Sequence, residues 1–200
     1  SKKLRQALNY GIDREKIIRY VLNGKGIPAT HGVLPPSMPG FSNSVQGYSY
    51  NPELARTLLR DAGFPNGQNL PPLVLRIGQN ERSEAVAEAV QQQWKELGIQ
   101  LDIRPIDFPQ LLQMVHRSEV SFWRTSWIGD YPGPENFLAL FYSANKAPQG
   151  PNTTRIVRRD LDSLYEAALS PKLTDAQRYA LYNQMETIVL DEAPWVFLYY

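Results

Sequence analysis

Leu73-Val-Leu-Arg-Ile77, then Ser83 to Leu97 closed by Gly98, then Ile99-Gln-Leu-Asp-Ile103, is the stretch that decides the fold class. The two flanking runs are short, apolar and rich in branched residues, which predicts strands, and the segment between them has helical spacing. Gly98 supplies the stop, since a residue free to take positive φ ends a helix cleanly. A strand, a helix and a second strand in succession make a βαβ unit, so the strands are expected to be parallel and the crossover right-handed.

Working outward toward the N-terminus, Asn51-Pro52-Glu53 predicts a helix start with Asn as cap and Pro in the first turn. Leu54, Leu58, Leu59 and Ala62 supply its apolar stripe. Ahead of it, Ile27 to Tyr50 carries Pro28, Pro35, Pro36 and Pro39 among Gly, Ser and Asn, a composition that predicts a long loop. Two helices precede the loop, one with Leu4, Ala7 and Leu8 on one face. The other is capped by Asp13 and carries Ile17, Ile18 and Val21.

On the C-terminal side a short helix is expected after Pro109, with Leu111, Leu112 and Val115 buried, and then a strand from Val120 to Trp127. Glu135 to Tyr142 reads as a helix and Ser143 to Arg159 as irregular chain. Leu161 to Leu169 and Thr174 to Asp191 read as helices, the second with Leu181, Met185, Ile188 and Val189 as its buried stripe. Ala193 to Tyr200 is expected to be an aromatic strand. An apolar strand at a terminus suggests a cut chain.

With 42% hydrophobic and 20% charged residues the chain reads as globular, and 200 residues suit one domain that buries roughly 70% of its unfolded surface. A net charge of +1 gives no reason to expect nucleic acid or an anionic membrane as partner. The absence of cysteine excludes disulfides and thiolate metal sites. His31 and His116 have no second ligand at metal-binding spacing, and no nucleophile elbow, zincin, Walker or dinucleotide motif is present. No cofactor or metal is expected.

The segment with the most chemical content runs from Phe122 to Phe141. It places Asp130 between Trp127, Gly129 and Tyr131, ahead of Pro132-Gly-Pro134. An acid partly shielded by such neighbours attracts a cation with less screening than on an open surface, so an ammonium group is one candidate partner. A loop aspartate that caps its own turn or the next helix is the other reading. Glu135 is explained by the dipole of the helix it begins, and as an acid–base partner for Asp130 it lacks a fixed separation. Arg124, alternating within an apolar run, either faces a cleft where its fork accepts a carboxylate or lies at an edge in solvent. Arg155, Arg158 and Arg159, next to Asp160 and Asp162, read as a solvated face. Asn152-Thr-Thr154 fits the glycosylation acceptor pattern.

Three segments resemble the family 5 solute-binding proteins of ABC importers, of oligopeptide- and dipeptide-binding type. They are Leu4-Arg-Gln-Ala-Leu-Asn-Tyr-Gly-Ile-Asp-Arg-Glu-Lys-Ile-Ile18, Tyr50-Asn-Pro-Glu-Leu-Ala-Arg-Thr-Leu-Leu-Arg-Asp-Ala-Gly-Phe64 and Trp127-Ile-Gly-Asp-Tyr-Pro-Gly-Pro-Glu-Asn-Phe137. Asp162 to Ala168 and Leu181 to Tyr200 are also similar to the family's closing helices and final strand. The resemblance implies an α/β lobe of periplasmic-binding-protein type II, a mixed sheet flanked by helices. On this reading residues 1–200 are the C-terminal lobe of a bilobal protein whose other lobe is absent.

For the site, the resemblance implies that Asp130 pairs with the α-amine of a bound peptide and that Trp127 lines the same cavity. Tyr131 belongs to that ligand-binding set, and Arg124 occupies a position from which an arginine meets a short peptide's carboxylate. These side chains are expected on an open concave surface. Gly133 departs from the acidic residue usual at its position. The implied function is peptide capture outside the cytoplasmic membrane by a monomer that delivers to an ABC permease, without catalysis. Other members bind opines, nickel complexes, haem or oligosaccharides, and a small hydrolase-like enzyme or an interaction domain are the competing classes.

Overall fold

The computed structural model describes all residues from 1 to 200, and the chain gathers into two compact units. The first comprises Ser1–Pro28, Tyr48–Ser126 and Trp195–Tyr200, and the second Ala29–Gly47 and Trp127–Pro194. No helix is long and apolar enough to cross a membrane.

The first unit is built on the expected βαβ motif. Strand β1 (Leu73–Gly78) pairs in parallel with β2 (Leu101–Ile106), with Leu73 opposite Leu101 and Ile77 opposite Pro105. Pro105 has no N–H to give a further strand, which suits a position at the sheet edge. The crossover helix, Glu81–Lys95, starts under Asn80, whose side chain accepts from the Ser83 N–H. It buries Val86, Val90 and Trp94. Gly98 has φ +79°, and a Cβ there would run into the Asn66 carbonyl oxygen. That glycine serves both the helix stop and the close approach of the neighbouring loop.

Numbered in chain order, the helices of this unit are α1 (Lys2–Tyr10), α2 (Arg14–Lys16), α3 (Pro52–Asp61), α4 (Glu81–Lys95) and α5 (Phe108–His116). A π-helical turn, Ile17–Val21, extends α2. The caps expected at Asp13 and Asn51 are present, accepting from the Lys16 and Leu54 N–H groups. Ala7, Leu8, Ile17, Ala55, Leu59, Leu75, Ile77, Trp94 and Leu101 form one core. The Trp94 indole donates to the Leu8 carbonyl at 3.0 Å, so this large side chain is buried with its polar atom satisfied.

Two expected strands do not form. The segment Val120–Trp127 reduces to one parallel bridge between Trp123 and Arg76, flanked by bonds from Arg76 N to Phe122 O and from Arg124 N to Arg76 O. Beyond it Thr125 to Ile128 are exposed, so burial does not extend the pairing. The Ala193–Tyr200 segment likewise makes only a bridge, antiparallel, from Tyr199 to Pro28. Side chains take over the work of a ladder there. Buried Asn9 donates to Trp195 O at 2.8 Å and accepts from Phe197 N at 3.0 Å, while buried Arg14 donates from Nε to Phe197 O at 2.8 Å. Backbone groups are satisfied without a partner strand. Burial pulls the Arg14 guanidinium down to about 10.

The second unit contains α6 (Glu135–Leu138), α7 (Arg159–Ala168) and α8 (Asp175–Glu192), and α7 packs on α8. Thr174 opens α8 with a capping box to Gln177. The buried stripe of α8 is Tyr182, Met185, Glu186, Val189 and Leu190, so Leu181 and Ile188 sit only half-buried, against expectation. The long loop forms as expected, with no helix or strand between Val21 and Pro52. The irregular Ser143–Arg159 run is tied by Asn152, which is wholly buried and donates to Tyr142 O and Ile156 O. Burial removes that asparagine from consideration as a glycosylation acceptor. Arg158 pairs with Asp160 and Glu192 on the half-exposed surface, in line with the solvated basic face.

Candidate functional site

The run from Phe122 to Phe141 crosses the boundary between the units, which falls after Ser126. Arg124 therefore belongs to the first unit and Trp127, Asp130 and Tyr131 to the second.

In the second unit the chain from Trp127 to Pro134 has no regular structure and is organised from α6. Asn136, buried in that helix, accepts at 2.8 Å from the Trp127 indole N–H. The bond fixes the indole's orientation while 40% of Trp127 stays exposed. Tyr131 is 50% exposed and Ile128 84%. A Cβ on Gly133 would meet the Tyr131 ring and the Glu135 carboxylate, so a side chain there requires those two groups to shift. The Tyr131 hydroxyl is pushed up from its ordinary value, first by partial desolvation and next by the neighbouring Glu135 charge.

Asp130, next to Tyr131 in sequence and three residues after Trp127, is an exposed carboxylate with no hydrogen bond or ion pair to the chain. Two expectations are corrected here. The side chain is not shielded from water in this chain, and it caps neither its own turn nor α6, whose start is Pro134 with no side-chain cap. The chemistry left is that of a free, exposed anion, which can accept hydrogen bonds from a cationic donor.

In the first unit Arg124 is half-buried and committed. Nη1 donates to Ser83 Oγ at 2.9 Å and Nη2 to Tyr199 Oη at 2.5 Å, with the guanidinium carbon 6.0 Å from the Tyr199 ring centre. It forms no ion pair, so it is neither a solvated edge residue nor half of a salt bridge. Ser83 and Tyr199 were not candidates from sequence, because a serine in a helix's first turn and a tyrosine in an apolar run have ordinary structural uses.

Glu186 is the other group that sequence reasoning missed. Almost fully buried, it accepts through Oε1 from Val33 N at 2.6 Å and Leu34 N at 2.8 Å. Desolvation raises it to about 7, against the lowering effect of those two bonds. Its spacing with Tyr182, Met185 and Val189 was the available signal, since those positions share a helix face. No group of three or more acidic or histidine side chains is arranged to hold a metal ion, and His31 instead bonds to the Val45 carbonyl.

Residues 1–149 match the family model described as bacterial extracellular solute-binding proteins, family 5 middle. The chain belongs to that family. It is 31% identical over 196 residues to the dipeptide-binding protein of Escherichia coli, covering 96% of this chain and 36% of that protein. It is 30% identical over 199 residues to heme-binding protein A of Haemophilus influenzae, covering 97% of this chain and 35% of that one. Among solved structures, a periplasmic oligopeptide-binding protein of Borrelia burgdorferi superposes with a TM-score of 0.88 at 27% identity, over 98% of this chain and 39% of its own. The family 5 chain thus spans little more than a third of the length of these relatives. The type II periplasmic-binding-protein architecture is that of its structural neighbours, with helices flanking a small sheet.

Proposed function

We propose that this chain is the C-terminal lobe of a two-lobed solute-binding protein that captures short peptides outside the cytoplasmic membrane and delivers them to an ABC permease. Asp130 pairs with the ligand's α-ammonium group, Trp127 and Tyr131 supply the apolar walls around it, and Arg124 receives the peptide's carboxylate. The protein works as a monomer and carries out no catalysis. The observation that carries this reading is the state of Asp130: an exposed carboxylate with no hydrogen bond or ion pair to the chain, three residues after a tryptophan whose indole N–H is already spent on Asn136. A carboxylate with an internal partner would have to break that bond to take an amine; this one gives up only water.

The free energy comes from closure. An ammonium–carboxylate pair repays its desolvation when geometry is good and water is excluded, and a second lobe closing over the ligand supplies both. The names of several relatives, dipeptide-binding in one case and oligopeptide-binding in another, support the peptide class. The similarity to a heme-binding protein is the observation behind a second reading, a non-peptide solute.

Mass spectrometry of the ligand that co-purifies with the full-length protein separates the two readings. Peptides with free amino termini are expected; recovery of haem or another solute lacking an amine, with no peptide, contradicts the assignment. Calorimetry on the isolated 200-residue chain is expected to give peptide binding weaker than micromolar, because half of the contacts are lacking.

A further inference from the structure

The corner around Arg124 is assembled from segments far apart in sequence, all within the first unit. Ser83 is buried in the first turn of α4, with its N–H held by Asn80. Tyr199 is fixed by its bridge to Pro28, flanked by bonds from Ile27 N to Tyr200 O at 3.1 Å and from Tyr200 N to Ile27 O at 2.8 Å. Two residues earlier, Phe197 is clamped by Asn9 and Arg14. Neither hydroxyl partner of Arg124 is therefore free to wander.

What the corner lacks is a negative charge. Both partners are neutral hydroxyls, no carboxylate pairs with Arg124, and its Nε is buried with no acceptor. Neutral hydroxyls fix the direction of a guanidinium without cancelling its charge, and the second N–H of each Nη keeps its affinity for an anion, while the buried Nε adds an uncompensated donor behind them. An orphan buried donor is costly, since it gives up water without gaining an acceptor. Here the fold bears that cost and keeps the fork oriented, which is the pattern of a prepared receptor.

We infer that Ser83 and Tyr199 are positioning residues that hold Arg124 ready for a ligand carboxylate. The inference rests on the proposed peptide reading. Discrimination between a peptide acid and its neutral amide then depends on two side chains that act through Arg124.

The test uses the full-length protein and two probes, trialanine and trialanine amide, with calorimetry on wild type, Tyr199→Phe, Ser83→Ala, Ser83→Thr and Arg124→Gln. Wild type is expected to favour the acid by about tenfold or more, the scale of one charged hydrogen-bonded contact. Tyr199→Phe and Ser83→Ala are each expected to cut that preference to about a third by weakening the acid alone, and Ser83→Thr to restore it. An unchanged preference in both variants overturns the proposal. So does equal weakening of acid and amide, the mark of a purely structural role. A preference that survives Arg124→Gln also overturns it, while leaving the amine contact at Asp130 to stand on its own test with an N-acetylated peptide.

A second measurement needs no peptide. In nitrogen-15 spectra of the 200-residue chain, acetate is expected to shift the Arg124 Nε–H resonance saturably, and more weakly in Tyr199→Phe. No shift, or the same shift in the variant, contradicts the inference.

Discussion

Arg124 and Asp130 lie close together in sequence, yet the fold treats them in opposite ways. Arg124 is half-buried, pinned by Ser83 and Tyr199, with its direction settled before any ligand arrives. Asp130 is exposed, unpaired and carried by a segment without regular structure. Ordering a side chain costs entropy, so the arginine meets that cost during folding, while on the proposed reading the aspartate meets it only when an amine binds. One charge is oriented by the fold and the other is left free.

The largest expected effect attacks the base of the prepared corner. Arg14→Met removes donors from Phe197 O, Ile12 O and Asn9 at once and should destabilise the chain by about 2–3 kcal/mol, the range for hydrogen bonds to a buried charged group. Urea unfolding reads it directly. A loss below about 0.5 kcal/mol would mean that the terminal segment is held by something else.

Glu186 comes next, since it ties the long loop to α8 within the unit that carries Asp130. Its proton affinity is raised from the usual 4.5 to about 7, so between those values the folded chain binds more protons than the unfolded one. The contribution is fully present below about pH 4.5 and is lost as the pH rises through about 7. Stability from this group should therefore fall by on the order of 1–3 kcal/mol between pH 5 and 8. Comparing unfolding curves of wild type and Glu186→Gln isolates it, and the variant should lack this component of the slope. A wild-type slope of the opposite sign that vanishes in Glu186→Gln would contradict the assignment.

A smaller effect, about 1 kcal/mol, is expected for Thr174→Ala, which removes the capping box of α8. Smallest of all is Asp130→Asn. With no partner in the chain, it should change unfolding free energy by less than about 0.5 kcal/mol. A clear destabilisation would show that the aspartate has a structural duty and would erase the contrast with Arg124.

The backbone plan was legible because its signals are local. The βαβ spacing, the Asp13 and Asn51 caps and the Gly98 stop act within a few residues, and each element appears with its bounds shifted by little. The two failed strands have a different cause. Apolar alternation at Val120–Trp127 and Ala193–Tyr200 says that a segment can pair, but pairing needs a partner edge, and side chains such as Asn9 and Arg14 meet the same backbone needs from afar. Long-range polar contacts of that kind leave no periodic trace. The α8 stripe was misread by taking Leu181 and Ile188 as anchors, when the buried acid Glu186 marks the inner face. At the site, aromatic neighbours suggested shielding for Asp130, but flanking residues do not fix burial, which depends on where the whole loop lies.

The central claim is that Asp130 reads an amine, and a double-mutant cycle in the full-length protein tests it most directly. A peptide and its N-acetylated counterpart are titrated into wild type and Asp130→Asn. The account predicts a coupling energy of about 2 kcal/mol or more, with the variant losing most of its preference for the free amine. Additive effects, with the amine preference intact in Asp130→Asn, would contradict it.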